Sequence, residues 1–471
     1  MSNSRSATRR SLLGVTGALG LALTPIAHAV DYVPLTSFVS DPTLAGWQKS
    51  SASAAWNSTS AYLDSTAGGW YSPVFTPTPG AYYKVQYDVQ LTGARTKAQF
   101  GAFFGNPAAT YNLETTTAAG GYLYRDTSTG TSVINGQLLA DNYVSIQPPG
   151  TGWTTITEFN RVPVNATQSF VYFGPDSNPV TGARIDNVRV SSATHAEVLT
   201  WADGIYNNTA NFPVKLNYTP PVNRFDNLPK TLNKLKTGQT VNIVVIGDST
   251  MGDTENSAFD AMIERQYPGS NVVIHSAVGH GTGMDMWLNP STYNAWNTKG
   301  LDIQQAVYDR GADLVILGGI SNGNPDNWAA TQTIIETLKG RGTEVLLTTG
   351  VFGSYAGDPI NPATFVPNID GSTTGSDPNL PYRNWMYNLA QSQNVGFFDA
   401  NGAWGSYLIQ LEAAGMSNDI YYRDHWTHAN TVGKDMIGRL YESYFTPVPE
   451  PTSLGLLGLG AAALIARRRK A

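Results

Sequence analysis

The feature that most constrains this chain is a change in hydrophobic pattern near residue 240. From there to about residue 445, short apolar runs alternate with segments whose apolar residues recur with helical spacing. Strands that alternate with helices form a parallel sheet covered on both faces, so residues 241–445 are predicted to form a three-layer α/β domain. The predicted elements are the strands 241–246, 271–276, 313–317, 344–348 and 395–398, and the helices 258–265, 331–338 and 432–444.

The preceding part of the chain has a different pattern. Residues 83–89 alternate polar and apolar side chains with a period of two, and 170–173 and 184–190 are further strand-like runs. Such alternation is typical of strands with one buried face, and Gly, Pro, Asn and Asp separate the runs. Residues 31–195 are therefore predicted to form an antiparallel β-sandwich, and 196–240 a linker that partly packs on the following domain.

Composition narrows the classes of protein to which the chain can belong. None of the 471 residues is cysteine, which excludes disulfides, thiolate metal sites and a cysteine nucleophile. The net charge is −6 and no basic run occurs between the two ends, so nucleic-acid binding is not expected. The histidine spacing is not that of a metal site, and we predict neither a metal nor another cofactor.

Both ends of the chain have the pattern of targeting segments. Residues 1–29 contain basic residues, then an apolar run, then an Ala-His-Ala site, the order that is typical of a cleaved signal peptide. Arg9 and Arg10 also resemble part of a twin-arginine signal, which leaves the export route open. At the other end, residues 448–471 begin with Val-Pro-Glu-Pro, continue with an apolar run and finish in an arginine cluster.

This C-terminal segment resembles the PEP-CTERM sorting tail. Its apolar run is short for a membrane span, which needs about 20 residues. The resemblance implies an exosortase-type partner, transient membrane association through the tail, and removal of the tail. It also implies delivery to the cell envelope or extracellular matrix of a Gram-negative-type bacterium. The alternative is an ordinary tail anchor.

A serine directly after the first α/β strand is the strongest candidate for chemistry. The run 241–246 leads into Gly-Asp-Ser, which places Ser249 at the carboxyl end of the strand, where active sites of parallel sheets form. A serine hydroxyl needs a histidine base that a carboxylate orients. Asp424 and His428 lie on one segment just before the last predicted helix, and they can supply that pair.

These residues resemble the sequence blocks of SGNH/GDSL hydrolases. Gly-Asp-Ser at 247–249 is similar to the first block of the family, and His-Ala-Asn at 428–430 is similar to the last. The resemblance implies a flavodoxin-like SGNH domain that hydrolyses esters. By the same resemblance, Ser249 is the nucleophile, His428 the general base and Asp424 its orienting carboxylate.

The spacing between the carboxylate and the base differs from the family pattern. Asp424 lies four residues before His428, whereas the family has the aspartate three residues before, where His425 stands here. In a helical loop, a spacing of four would still place both side chains on one face. His425 as the base is the alternative.

The resemblance also implies an oxyanion hole. Its donors would be the Ser249 N–H, a glycine of the second block and an asparagine of the third. Gly279 is the preferred glycine, with Gly281 as the alternative. Asn322 is the preferred asparagine, although it lies one residue later than in the family, where Ser321 stands. An amide aimed at the developing oxyanion would contribute about 3–4 kcal/mol of transition-state stabilisation.

A second interpretation of this segment remains open. Residues 319–323 also fit G-x-S-x-G, the nucleophile elbow of α/β-hydrolases. Ser321, Asp399 and His428 would then form the triad. Against this interpretation, the chain has no His-Gly-Gly-Gly segment, and Pro325 disfavours an immediate helix.

The N-terminal region bears on the substrate. Residues 183–190 look like the last strand of jelly-roll carbohydrate-binding modules, which implies a jelly-roll-like domain that binds sugar. Trp47, Trp56, Trp70 or Tyr71 would stack on sugar rings if exposed, and the alternative is that they are core residues. Sugar binding and a matrix-sorting tail together predict deacetylation of an extracellular polysaccharide. The competing interpretation is a non-catalytic, glycan-binding envelope or matrix protein.

Overall fold

The computed structural model describes most of the chain between its two ends. The predicted signal peptide and sorting tail lie outside the described residues. Within them, no helix is both long and apolar enough to cross a membrane. The structure describes residues 30–447 apart from 50–51, 65–67, 92–95, 106–110, 116–121, 127–135, 147–151, 163, 165–167, 178–179, 182, 211, 280, 290–302, 354–359, 417–420 and 425–426.

The N-terminal region consists of antiparallel strands, as predicted. One six-stranded sheet has the order β11-β6-β14-β4-β3, with β1 on β14, and the other has the order β10-β7-β12-β5-β2, with β13 on β12. Strands β8 and β9 pair with each other. The strands are β1 (Asp31–Thr36), β2 (Gln48–Lys49), β3 (Ala55–Asn57), β4 (Tyr62–Asp64), β5 (Trp70–Tyr71), β6 (Tyr82–Leu91), β7 (Thr96–Gly105), β8 (Tyr111–Thr115), β9 (Tyr122–Asp126), β10 (Gly136–Ile146), β11 (Thr154–Arg161), β12 (Gln168–Ser177), β13 (Val180–Thr181) and β14 (Ala183–Ala193).

Most of the aromatic residues considered for sugar stacking are buried instead. Trp47, Trp70 and Tyr71 are at most 2% exposed, so their faces are not available to a sugar ring. Trp56 is half-buried, and its indole N–H donates to the carbonyl oxygen of Phe38 at 2.8 Å. The sugar-stacking role is therefore wrong for the three buried residues, because core packing and not solvent surrounds them.

The segment predicted as a linker contains two helices, α1 (His195–Asn207) and α2 (Pro229–Lys236). Side chains of this segment, among them Phe212 and Leu228, are fully buried in the same apolar cluster as the parallel sheet that follows. Residues 196–240 therefore contribute to the C-terminal core, which is more extensive packing than the predicted linker that partly packs on this domain.

The C-terminal region is a five-stranded parallel sheet with helices, as predicted. The strand order β16-β15-β17-β18-β19 is the 2-1-3-4-5 order of doubly wound sheets. The 3₁₀ segments among the described residues are Pro42–Ala45, Tyr308–Arg310, Ile320–Gly323 and Pro325–Asn327. The other elements are β15 (Thr240–Gly247), α3 (Ser249–Glu255), α4 (Phe259–Gln266), β16 (Asn271–Val278), α5 (Met284–Leu288), α6 (Ile303–Ala306), β17 (Leu314–Gly318), α7 (Trp328–Gly340), β18 (Glu344–Thr348), α8 (Leu380–Gln393), β19 (Gly396–Phe398), α9 (Ala400–Ala413), β20 (Tyr422–Asp424), β21 (His428–Ala429) and α10 (Thr431–Phe445).

Both faces of this sheet are buried. Along β15, Ile243 and Val245 belong to the apolar cluster that includes α10, whereas Val244 and Ile246 belong to the cluster that includes α7. A central parallel strand is covered on both sides, so it has a continuous apolar run instead of an alternating one. This burial places the carboxyl ends of β15 and β17 side by side. The residues that follow each of these strands therefore lie close to each other.

One buried carboxylate on α10 gives a pH-dependent prediction. Neither carboxylate oxygen of Asp435 has a hydrogen-bond partner among the described residues, and Arg439 approaches one of them only to 3.6 Å. Burial raises the pKa of Asp435 to about 7, against the opposing effect of Arg439. The folded state thus holds a proton that the unfolded state releases near pH 4, and stability falls as pH rises between these values.

We expect Asp435→Asn to raise the free energy of unfolding by a few kcal/mol, on the order of 1.4 kcal/mol per unit of pKa shift, at pH 8. The gain should shrink as the pH falls and be small at pH 4, because the wild-type carboxyl becomes neutral in both states only below the pKa of the unfolded chain. Urea unfolding of both proteins at pH 4, 6 and 8 measures this. Equal differences at the three pH values would contradict the prediction.

Candidate active site

Ser249 is the first residue of α3, directly after β15 and Asp248. Its side chain is partly exposed, although the residues on either side of it are buried. As the first helical residue, its N–H is one of the amides that have no acceptor within their own helix. The position at a strand's carboxyl end, next to the point where the strand order reverses, is where doubly wound sheets bind ligands.

Asp248 holds the two central strand ends together. One carboxylate oxygen accepts the N–H and hydroxyl of Thr250 at 2.9 and 2.7 Å, which caps α3. The other accepts the N–H of Ser321, beyond β17, at 2.6 Å. Gly319 makes this approach possible, since its φ is +115° and a Cβ there would lie 2.7 Å from the Asp248 carboxyl carbon. Asp248 therefore has a structural role in placing Ser249.

The structure brings Ser249 and His428 together. His428 Nε2 lies 2.8 Å from Ser249 Oγ, although 179 positions separate the two residues in the chain. The distance is within hydrogen-bond reach, which a general base requires. Of the site residues predicted from the sequence, these two make the direct contact on which chemistry can depend.

Two groups fix the backbone around His428. The N–H of Ala429 donates to a carboxylate oxygen of Asp253 at 2.8 Å, and the N–H of Asn430 donates to the carbonyl oxygen of Tyr421 at 2.9 Å. Asp253 lies on α3, four residues after Ser249, so one helix carries the serine and holds the histidine segment. The sequence analysis missed Asp253, although a spacing of four on a helix is the signal that it faces the same side as the serine.

The backbone of Asp424, the predicted orienting residue, pairs with that of His428. Strands β20 and β21 form a hairpin in which the Cα atoms of Asp424 and His428 are partners. The segment is a hairpin and not a helical loop, so the condition under which a spacing of four would place both side chains on one face of a helix is not met. The Asp424 side chain and all of His425 lie outside the described residues, and their roles stay predictions.

The structure argues against Gly279 as an oxyanion donor. Its N–H donates to the carbonyl oxygen of Gly247 at 2.9 Å, which extends the ladder between β15 and β16 by one residue. An amide used by the sheet cannot also donate to a substrate. Gly281, the alternative, has a φ of +56°, and a Cβ built on it would meet no atom within 4 Å. No described residue crowds Gly281. We therefore expect its N–H, and not that of Gly279, to be the oxyanion donor.

The side chain of Asn322 has the properties expected of a hydrogen-bond donor to a substrate oxyanion. It is 1% exposed, and neither its amide nitrogen nor its amide oxygen has a hydrogen-bond partner among the described residues. Its backbone is held, because the indole N–H of Trp328 donates to its carbonyl oxygen at 3.0 Å. A buried amide without partners is costly to a fold, and such groups are expected where function requires them.

We expect Asn322→Ala to lower kcat for an ester substrate by about 10²–10³-fold with little change in KM. The reason is that an oxyanion donor acts on the transition state more than on the bound ester. The melting temperature should not fall, since no hydrogen bond is lost. Asn324→Ala, at an exposed position two residues later, is the control and should leave kcat unchanged. Equal kinetics for the two variants would remove Asn322 from the oxyanion hole.

The nucleophile-elbow interpretation does not match the geometry. Ser321 lies in a 3₁₀ segment and α7 begins only at Trp328, whereas an elbow serine leads directly into a helix. Asp399 is bonded to Arg383 at 2.7 Å and to the hydroxyl of Thr349 at 3.0 Å. The imidazole of His428 contacts Ser249, as described above. Ser321, Asp399 and His428 therefore do not have the helix position or the contacts that a nucleophile-elbow triad requires.

Residues 447–470 match the PEP-CTERM protein-sorting motif, which confirms the predicted sorting tail. No curated protein matches the chain. Among solved structures, the chain is similar to an acetyl xylan esterase, with 18% identity over 42% of this chain and 97% of that one and a TM-score of 0.31.

Two further solved structures are similar to this chain. A two-domain esterase active on acetylated mannans shares 14% identity, with a TM-score of 0.33. That match covers 48% of this chain, which spans 55% of the esterase. A family two carbohydrate esterase from Cellvibrio japonicus shares 12% identity over 89% of this chain and 96% of that one, with a TM-score of 0.24.

Proposed function

We propose that this protein is a serine esterase of the SGNH type, with Ser249 as nucleophile and His428 as general base. The observation that carries the proposal is the 2.8 Å contact between Ser249 Oγ and His428 Nε2 at the carboxyl edge of the parallel sheet. A partly exposed serine at a helix N-terminus, bonded to a histidine from a distant segment, is the arrangement that nucleophilic catalysis needs.

The reaction proceeds in two steps. Ser249 Oγ attacks the ester carbonyl carbon while its proton passes to His428 Nε2, and the imidazolium then gives this proton to the departing alcohol. Water repeats the sequence on the acyl-enzyme, releases the acid and restores the serine. The Ser249 and Gly281 N–H groups and the Asn322 amide stabilise the oxyanion in both steps, and Asp424 orients the imidazole.

The proposed substrate is an acetylated extracellular polysaccharide. The sorting tail is consistent with delivery of the protein to the envelope or matrix, where such esters occur, after processing by an exosortase-type enzyme. An enzyme acting on lipid surfaces needs a large exposed apolar area. Among the described residues, the large apolar side chains that are exposed all precede residue 223, before the first strand of the parallel sheet. The jelly-roll-like region is proposed to contact the polysaccharide.

The proposal is tested with the purified full chain on acetylated xylan and on p-nitrophenyl esters of two to eight carbons. We expect acetate release from xylan and the highest kcat/KM for the acetyl ester. A fluorophosphonate probe should label one serine, which mass spectrometry should locate at Ser249. Labelling at Ser321 would favour the elbow interpretation, and absence of both turnover and label would favour a glycan-binding matrix protein.

A further inference from the structure

Strand β11 of the N-terminal region reaches the segment that carries the histidine base. Glu158 on this strand is 6% exposed, and its two carboxylate oxygens lie 3.1 and 3.2 Å from the hydroxyl of Thr431, which donates to them. Thr431 is the first residue of α10, three residues after His428. A carboxylate at a helix N-terminus is also favoured by the helix dipole.

The same strand reaches the helix that carries the nucleophile. The guanidinium of Arg161, three residues after Glu158, donates to the carbonyl oxygens of Glu255 and Ser257. It also forms a buried ion pair with Asp260, in which its Nε donates at 2.7 Å. Glu255 is the last residue of α3, which begins at the nucleophile. Arg161 therefore holds the far end of the serine helix.

We propose that β11 is a positioning element of the esterase site, in which Glu158 holds the His428 segment and Arg161 holds the helix of Ser249. The inference rests on the function proposed above and extends it, because it gives the N-terminal region a role on every substrate, including those without a sugar. Glu158 and Arg161 are positioning residues, since both act through other groups and not on the ester.

The pKa of Glu158 reflects both its burial and its contacts with α10. Burial raises the pKa of Glu158 to about 7, while the Thr431 hydrogen bond and the charge of Lys434 lower it. The carboxylate is thus kept in a costly environment, where it accepts the hydrogen bond that the hydroxyl of Thr431 donates at the start of α10. An error of 1 Å in the placement of a catalytic group can lower a rate by about 100-fold, so a fixed histidine segment matters for kcat.

The test compares variants of the full chain on p-nitrophenyl acetate, a substrate too small to need a glycan site. We expect Glu158→Ala and Thr431→Val each to lower kcat by about 10- to 100-fold with KM within about 2-fold. The double variant should be no worse than either single one, because both remove the same hydrogen bond. Glu158→Gln should restore most of kcat, since its amide oxygen still accepts from Thr431.

Thr155→Ala is the matched control on the same strand. Its hydroxyl donates to Asp88 at 2.6 Å within the N-terminal region, at an exposed position. This variant loses a hydroxyl–carboxylate bond of the same kind and should keep the wild-type kcat. If Glu158→Ala and Thr431→Val are folded, judged by circular dichroism and melting temperature, and also keep the wild-type kcat, the positioning role is refuted. Thr431→Val decides the question alone if Glu158→Ala does not fold.

A second readout does not need turnover. In protein labelled with ¹⁵N-histidine, the Nε2 resonance of His428 can be assigned by its change in Ser249→Ala. We expect Glu158→Ala to move this resonance and Thr155→Ala to leave it in place. A wild-type protein without esterase activity would overturn the proposed function, and this resonance would still decide the positioning role. If the His428 resonance is unmoved in both Glu158→Ala and Thr431→Val, the positioning role of β11 is overturned.

Discussion

Replacing Ser249 with alanine is expected to lower kcat for p-nitrophenyl acetate by about 10⁴- to 10⁶-fold, with the fold intact. The side chain is partly exposed, and among the described residues its hydroxyl oxygen is hydrogen-bonded only to His428. Its removal therefore costs little stability but removes the nucleophile. Steady-state kinetics with a burst assay on the wild type, beside circular dichroism of both proteins, measures the effect.

Two companion variants make this result specific. His428→Ala should lose about as much kcat as Ser249→Ala, and the double variant should lose no more, because the two residues act as a unit. Ser321→Ala should keep kcat within about 2-fold, since the hydrogen bonds of Ser321 to the described residues use its backbone N–H and carbonyl, which the substitution leaves in place. Loss of activity in Ser321→Ala with retention in Ser249→Ala would overturn the assignment of the nucleophile.

The second large effect concerns stability. Arg383 is fully buried, and its guanidinium bonds Asp377 at 3.0 Å and Asp399 at 2.7 Å as well as two backbone carbonyls. Arg383→Met would leave two carboxylates without their cation, and breaking a buried pair from one side costs about 3–5 kcal/mol. We expect the melting temperature to fall by about 10 °C or more, which calorimetry measures directly.

Arg189 provides the matched comparison. It also forms a bidentate ion pair, with Asp31, but the two side chains are 42% and 39% exposed. Exposed pairs contribute about 0–1 kcal/mol, so Arg189→Met should shift the melting temperature by only a few degrees. Similar shifts in Arg383→Met and Arg189→Met would contradict the argument from burial.

The parallel sheet could be predicted from the spacing of apolar residues along the chain. The run 241–246 is apolar at nearly every position, because a central parallel strand is buried on both faces. The observed strand is two residues longer, from Thr240 to Gly247. The serine at its end and the histidine before the last helix then follow from where such sheets bind ligands.

Other features could not be predicted because they depend on contacts between distant residues. Trp70 is buried in an apolar cluster with residues of both sheets, and Tyr71 packs on Phe170 and Tyr172 of β12. Neither set of contacts has a local sequence signal. The predicted strand 271–276 ends before Gly279, whereas the observed ladder continues to this residue and uses its N–H, so Gly279 is not available as an oxyanion donor. The pairing of Arg161 with Asp260 spans 99 positions and has no local signal.

The two faces of the sheet divide the site between them. Helices α3 and α10, which flank Ser249 and His428, pack in one apolar cluster, with Met251 and Met436. Asn322 leads into α7, whose Ile334 packs in the cluster on the opposite face, together with α5 and α8. Under the proposed function, mutations in the layer of α5, α7 and α8 would act on the site through Asn322 and leave the cluster that supports Ser249 and His428 in place. The oxyanion donor and the proton-transfer pair would then be open to change independently of each other.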